Sequence, residues 1–146
     1  MERRVEVFFY GLFMDADALR EKGFHPANAR RASVEDLALH LGERATLVPE
    51  RGGCVHGMLM NLTHAELDRL YAEPSVEAYR PEPVIASLSD GSIVAALCFN
   101  LPAVPAGIRS NSEYAAKLRI AAKRMGLPEN YVASIGSAPK RDTRVP

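Results

Sequence analysis

The alternation of hydrophobic and polar positions predicts a chain that passes between β-strands and short helices. Residues 5–10 are β-branched and aromatic without a helical period, which favours a buried strand. Gly11 follows this strand and predicts a sharp backbone turn into a loop. Residues 15–22 favour a short helix with Asp15 as its cap and Gly23 after its end. Further strand-like segments predict a β-rich centre, and they cover residues 37–40, 45–48 and 55–60.

In the middle of the chain, local sequence patterns indicate where a helix and a hairpin begin and end. Thr63 and Glu66 form a capping-box pattern ahead of an apolar stripe, and Pro74 closes that stretch, so a short helix is predicted. Two β-prone runs flank residues 89–91, which read Ser-Asp-Gly. Because an Asp-Gly turn between such runs is typical of a hairpin, we expect two antiparallel strands here.

The C-terminal part of the chain predicts two helices and a tail. Asn111 or Ser112 can cap the first helix, Gly126 ends it, and another helical turn follows. Residues 138–146 carry proline and basic residues with little to bury, which indicates a mobile tail. Since no repeat or linker is visible before this tail, we expect a single domain over residues 1–137.

Composition and charge narrow the class of protein. With 146 residues and 47% hydrophobic content, the chain can bury a core without disulfides or metals. Its 18 basic residues balance 18 acidic residues, so no net charge attracts a nucleic acid or an anionic membrane. No apolar run approaches the roughly 20 residues of a membrane helix, and no signal-type segment is visible. We therefore expect a soluble, cytoplasmic protein that binds neither nucleic acid nor membrane.

Several patterns of cofactor and metal chemistry are missing from the sequence. It has no phosphate loop, no dinucleotide-binding glycine motif, no nucleophile elbow and no cysteine pair at metal-ligand spacing. Its four histidines are scattered without a close second ligand. Cys54 and Cys98 lie in apolar strand-like segments and are expected to pack in the core. We expect neither a metal nor a cofactor.

Two segments carry candidate chemistry. In the first, residues 10–14 read Tyr-Gly-Leu-Phe-Met, and a glycine directly after a buried strand exposes backbone N–H groups that can form an anion-binding concavity. A tight turn without any site would explain the same residues. In the second, residues 67–81 contain a helix end, acidic residues, and then Tyr79 and Arg80 at the next strand.

Together these segments resemble the γ-glutamylcyclotransferase-like superfamily, which includes the AIG2-like proteins. The matching features are the Tyr-Gly-x-x-Met loop, the Leu67-Asp68 helix, the acidic turn and the following Tyr79. The Gly-Leu-Pro-x-x-Tyr stretch of residues 126–131 is similar to the C-terminal part of many such cyclotransferases, so the resemblance spans about residues 5–135. It implies an α+β fold, a small mixed β-barrel with flanking helices, a pocket at the Tyr-Gly loop, and no cofactor.

The resemblance also implies a reaction. The free α-amine of a γ-glutamyl amine or γ-glutamyl amino acid attacks its own γ-carbonyl, which gives 5-oxoproline and releases the amine. A single carboxylate suffices as general acid and base, since both reacting atoms belong to one molecule. Backbone N–H groups of the loop would hold the substrate carboxylate or the developing oxyanion. The expected substrate-binding residues are Tyr10, Gly11, Leu12, Phe13, Met14, Tyr79 and Arg80.

The sequence departs from the family at the catalytic carboxylate. Active members carry a Glu four residues after the Leu of the Leu-Asp helix, and Tyr71 stands there in this chain. We prefer Glu73 as the base, because it lies closest to the helix end and Pro74 can fix its turn, and Glu77 is the alternative. Two other hypotheses stay open. The chain can be a binding module that has lost the catalytic Glu, or it can carry another small-molecule chemistry on the same fold.

Overall fold

A closed five-stranded β-barrel with surrounding helices forms the centre of the computed structural model, which describes residues 3–103 and 111–136. The strands are β1 (Arg4–Phe9), β2 (Ala27–Leu41), β3 (Ala45–Thr63), β4 (Arg80–Leu88) and β5 (Ile93–Asn100). The helices are α1 (Ala16–Glu21), α2 (His64–Leu70), α3 (Ser112–Arg124) and α4 (Glu129–Ser134). The expected α+β fold with a small mixed barrel is confirmed. The predicted tail of residues 138–146 lies outside the described residues.

The strand order brings the first and last strands together. Around the barrel the order is β1-β3-β2-β4-β5, and β1 closes it by pairing in parallel with β5 at Val7 and Leu97. All other neighbours are antiparallel. Because β1 and β5 run in the same direction, their C-terminal ends lie at one end of the barrel. The loop after β1 therefore lies beside Phe99, near the end of β5.

The central strands are longer than the sequence predicted. Residues 45–48 and 55–60 belong to one strand, β3, which pairs along almost its whole length with β2. The pairing changes register after Glu35, where Asp36 adopts a φ of 65°, so a bulge allows the hairpin to continue without a break. Near its other end, β3 passes close to β1: a Cβ added at Gly57 would lie 2.3 Å from the carbonyl oxygen of Phe9.

Alternation along β1 divides the core into two layers. Phe8 and, just after the strand, Tyr10 pack mainly with strand residues that form the barrel interior, and Tyr114 and Tyr131 of the helices pack against this cluster. Val7 and Phe9 point the other way and pack against residues of the helices. Cys98 is buried in the barrel interior as expected. The expectation for Cys54 is wrong: its side chain is exposed, because it lies opposite Glu35 where β3 turns its polar side to solvent.

Side-chain caps fix where the helices begin. The Thr63 Oγ1 accepts a hydrogen bond from the Glu66 backbone N–H at 3.1 Å, and the Glu66 carboxylate accepts one from the Thr63 N–H at 2.9 Å, which confirms the predicted capping box. Asp15 caps α1 as predicted, and Asn111 rather than Ser112 caps α3.

Across the described parts of the chain, none of the helices is long and apolar enough to cross a membrane.

Candidate functional site

A cavity of about 460 Å³ lies at the barrel end where β1 finishes. Residues of the loop after β1 form one side of it, and the end of α2, the turn that follows, and the first turn of α3 form the others. Four sequence-predicted loop residues line it, namely Tyr10, Gly11, Leu12 and Phe13. In volume the cavity falls within the range of sites that enclose a small molecule.

Gly11 is required by a close contact and not by the predicted sharp turn. Its φ of −108° and ψ of −156° are extended values that other residues also adopt. A Cβ at this position would lie 2.9 Å from the hydroxyl oxygen of Tyr114, and apart from its chain neighbours no other described residue has an atom within 4 Å of it. The short 3₁₀ turn Leu12–Met14 follows, and the Met14 N–H donates to the Gly11 carbonyl at 2.9 Å.

Tyr114 joins α3 to this loop. Burial raises the pKa of the Tyr114 phenol, and a hydrogen bond from the Leu12 backbone N–H partly offsets that effect. The hydroxyl is therefore neutral at neutral pH and lies against the backbone that was expected to cradle an anion. Tyr10 on the other side of the loop donates its hydroxyl to the Phe99 carbonyl at 2.7 Å, which fixes the loop to β5.

An aromatic cluster surrounds the position where the family carboxylate was expected. The ring of Tyr71 stacks on Phe99 with 4.0 Å between centroids and 10° between planes. Phe13 meets the Tyr71 ring edge-on at 5.9 Å, and Tyr79 lies 6.3 Å away at a tilt of 48°. Burial is the main reason that the pKa of Tyr71 is raised far above its usual value. Tyr71 is therefore a neutral phenol that cannot accept the proton of an ammonium group.

Among the described residues, two carboxylates line the cavity. Glu73 does so from the turn after α2, where its carbonyl accepts the Val76 N–H at 3.0 Å, and its side chain is exposed. Glu43, between β2 and β3, also lines it, although no pattern in the sequence singles out this residue. Glu77 is exposed and is not among the lining residues. Of the two carboxylates considered from the sequence, the structure brings only Glu73 to the cavity.

Met14 and Arg80, both expected to bind substrate, are not among the lining residues. Met14 is fully buried in the core between barrel and helices, because the 3₁₀ turn directs its side chain inward. The Arg80 guanidinium donates to the carbonyls of Glu77 and Tyr79 at 2.8 and 3.0 Å, so its own turn engages it.

Tyr79 does line the cavity and is held by β3. Its hydroxyl donates to the Ala45 carbonyl oxygen. Burial and the neighbouring Tyr114 raise the pKa of Tyr79 to about 12, against the opposing effect of the Arg44 charge. Tyr79 is thus a neutral, oriented side chain beside a cation.

The charged side chains of the cavity are balanced in sign. Lys22 and Arg44 are the cations, and Glu43 and Glu73 are the anions. Within residues 3–103 and 111–136, none of these four forms an ion pair, so all are available to a charged ligand. Over the same residues, no cluster of three or more His, Cys, Asp or Glu side chains that could hold a metal ion is found.

Comparison with known proteins agrees with this architecture. The family model described as "Gamma-glutamyl cyclotransferase, AIG2-like" matches residues 7–116. An uncharacterized human protein is similar over 97% of this chain and 91% of its own, with 18% identity and a TM-score of 0.77. A γ-glutamyl cyclotransferase is similar over 99% and 93%, with 17% identity and a TM-score of 0.76. YkqA from Bacillus subtilis is similar over 96% and 57%, with 23% identity and a TM-score of 0.74. Among curated proteins, none matches this sequence.

Proposed function

Because this chain belongs to the γ-glutamyl cyclotransferase, AIG2-like family, we propose that it cyclises a γ-glutamyl amine or γ-glutamyl amino acid to 5-oxoproline and releases the amine. One observation carries the proposal: Glu73 and the loop from Tyr10 to Phe13 line the same cavity. A proton acceptor and a row of backbone N–H groups are the two elements that this ring closure needs.

The carboxylate of Glu73 accepts a proton from the α-ammonium group, which frees the amine to attack the γ-carbonyl carbon. The new C–N bond closes the five-membered ring while the carbonyl oxygen becomes an oxyanion near the N–H groups of Gly11 and Phe13, since the Leu12 N–H already donates to the Tyr114 hydroxyl. The bond to the leaving nitrogen then breaks, and Glu73 returns its proton to that nitrogen. The second proton, lost as the ring amide forms, passes through solvent to the released amine.

The aromatic cluster has a supporting role in this scheme. Tyr71, Tyr79 and Tyr114 are neutral phenols, so they add no charge that competes with Glu73 for the ammonium group. Lys22 and Arg44 offer positive charge for the α-carboxylate of the substrate. A γ-glutamyl group carries one ammonium and one carboxylate, and the cavity supplies charges of both signs.

The test is an assay of 5-oxoproline and free amine over a panel of γ-glutamyl compounds. We expect Glu73→Gln to lower kcat by about 10²- to 10⁴-fold, the usual contribution of a general acid–base group. Glu77→Gln is the matched control, since Glu77 is equally exposed but is not among the lining residues, and it should retain activity. Unchanged turnover in Glu73→Gln, with loss in Glu43→Gln, would move the role of base to Glu43.

Tyr71 favours a second candidate, a binding module of the same fold without catalysis. The residue at the expected carboxylate position is a phenol stacked on Phe99, and it cannot accept the substrate proton. This candidate predicts that γ-glutamyl compounds raise the melting temperature while no 5-oxoproline forms on long incubation. The variant Tyr71→Glu separates the two, because turnover gained only in that variant would identify the natural chain as the module.

A further inference from the structure

We propose that the interior of the cavity binds an aromatic ring, so that the amine joined to the γ-glutamyl group is an arylamine or arylalkylamine and not an amino acid. This inference rests on the proposed function for the chemistry of ring closure. The recognition of the ring by the cavity can be measured without any turnover.

The cavity is graded from a charged edge to an aromatic interior. Lys22, Glu43 and Glu73 are exposed, and Arg44 is half-buried. The rings of Phe13, Tyr71, Tyr79 and Phe99 are half-buried, and those of Phe8, Phe9 and Tyr10 are buried. Among the described lining residues, three of the four charged side chains are thus exposed, and Arg44 lies half-buried beside Tyr79.

This grading sets the direction in which a γ-glutamyl ligand lies. The α-ammonium group pairs with a carboxylate, and the carboxylates are at the exposed edge. For ring closure the glutamyl chain folds so that the α-amine contacts the γ-carbonyl carbon, and the leaving nitrogen is bonded to that carbon at another position. The substituent on that nitrogen therefore extends away from the charged edge and meets the rings.

The rings favour a flat apolar substituent over a charged one. Tyr71 and Phe99 are parallel at 4.0 Å, and the ring of Phe13 stands at 82° to Tyr71, so stacked and edge-on contacts already occur side by side. A further ring can join either arrangement, and each such contact strengthens binding by about two- to twelvefold beyond burial of area. A carboxylate among these rings would lose its water, since Lys22 and Arg44 serve the α-carboxylate of the glutamyl group.

The raised pKa values of the phenols agree with an apolar cavity interior. Burial is the largest cause of the raised pKa of Tyr10, Tyr71 and Tyr79 alike. An environment that disfavours three phenolates also disfavours the carboxylate of an amino acid. The volume of about 460 Å³ leaves room for such a ring beside the γ-glutamyl group.

The experiment compares two probes, γ-glutamylbenzylamide and ε-(γ-glutamyl)lysine. Calorimetric titration measures their binding, and release of 5-oxoproline by the unsubstituted protein measures their turnover. Binding is measured on Glu73→Gln, so that conversion does not remove the ligand, and the readout is the ratio of the two Kd values. We expect the benzylamide to bind at least about tenfold more tightly, the upper range of one added ring contact. In Phe13→Leu the ratio should fall by about two- to twelvefold.

Phe24→Leu is the matched control, because Phe24 is a buried phenylalanine that packs under Arg69 and is not among the lining residues. Its ratio should equal that of the parent, and circular dichroism checks the fold of each variant. Equal affinities, tighter binding of the lysine probe, no binding of either probe, or the same fall in both phenylalanine variants would each overturn the inference.

Failure of this inference and failure of the proposed function give different results. A benzylamide preference without 5-oxoproline release supports the aromatic site and overturns the cyclotransferase. Release of 5-oxoproline without the preference supports the cyclotransferase and overturns the aromatic site.

Discussion

Replacement of Gly11 by alanine isolates the contact that joins the loop after β1 to α3. The added methyl group would lie 2.9 Å from the Tyr114 hydroxyl oxygen, about half an ångström or more inside an ordinary carbon–oxygen contact. The backbone of Gly11 is extended, so alanine meets no strain in φ or ψ. The expected loss of stability in the folded protein therefore comes from the contact with the Tyr114 hydroxyl oxygen alone.

The size of that cost follows from two opposing effects. Overpacking by a methyl group destabilises by about 1 to 3 kcal/mol. Alanine also restricts the unfolded chain and recovers about 0.4 to 1 kcal/mol where its native conformation is allowed. We therefore expect Gly11→Ala to lower the free energy of unfolding by up to about 2.5 kcal/mol.

The double variant Gly11→Ala with Tyr114→Phe tests this reasoning. Among residues 3–103 and 111–136, chain neighbours apart, the Tyr114 hydroxyl alone lies within 4 Å of the new methyl group, so without that oxygen alanine should cost nothing. Tyr114→Phe alone loses the contact with the Leu12 N–H and should cost about 1 kcal/mol. Urea unfolding of the four proteins gives the coupling energy, expected at about 1 to 3 kcal/mol. A coupling near zero would refute the assignment of Gly11 to this contact.

Two further predictions concern stability. Gly57→Ala places a methyl group 2.3 Å from the backbone oxygen of Phe9 and should lower the free energy of unfolding by about 3 kcal/mol, measured in urea. Gly42→Ala is the control and should cost little, because the nearest atom would lie 3.5 Å away. Equal losses in the two variants would contradict this prediction. Burial alone raises the pKa of Glu66, but hydrogen bonds led by the Thr63 N–H outweigh it and hold the pKa below its usual value, so the ionised form stabilises the fold. Glu66→Gln should therefore lower the free energy of unfolding by about 1 to 2 kcal/mol at pH 7. This loss should shrink as the pH falls below about 4.5 through the folded pKa of Glu66. A loss of stability that does not depend on pH would contradict the role of the ionised carboxylate.

Local signals predicted most of the fold because they act over a few residues. The Thr63 capping box and the Asp90-Gly91 turn each place a boundary through contacts between near neighbours. The first part of β2 carries no such signal. Arg30 and Arg31 lie there, and Arg30 pairs with Leu59 through a long-range ladder. The strand conformation of this first part of β2 depends on a partner strand that the local pattern does not reveal.

The site was predictable only where its residues form a motif. Residues 10–13, Glu73 and Tyr79 stood out by their order along the chain, and all of them line the cavity. Glu43, Arg44 and Tyr114 were missed, since each occupies a turn or helix position that has an ordinary structural explanation. Only the closure of the barrel brings them beside the loop.

The parallel pairing of β1 with β5 also orders events during folding. The Tyr10 hydroxyl and the Phe99 carbonyl that fix the loop are 89 positions apart, and Val7 meets Leu97 across the same seam. Such distant contacts form late, because a long loop must close before they contribute. A chain that has emerged from the ribosome only as far as Leu88 lacks β5, the partner that closes the barrel at β1. The cavity is thus complete only after the last strand, when Tyr114 of α3 follows, and a ligand that binds the cavity stabilises the closed barrel over every partly folded form.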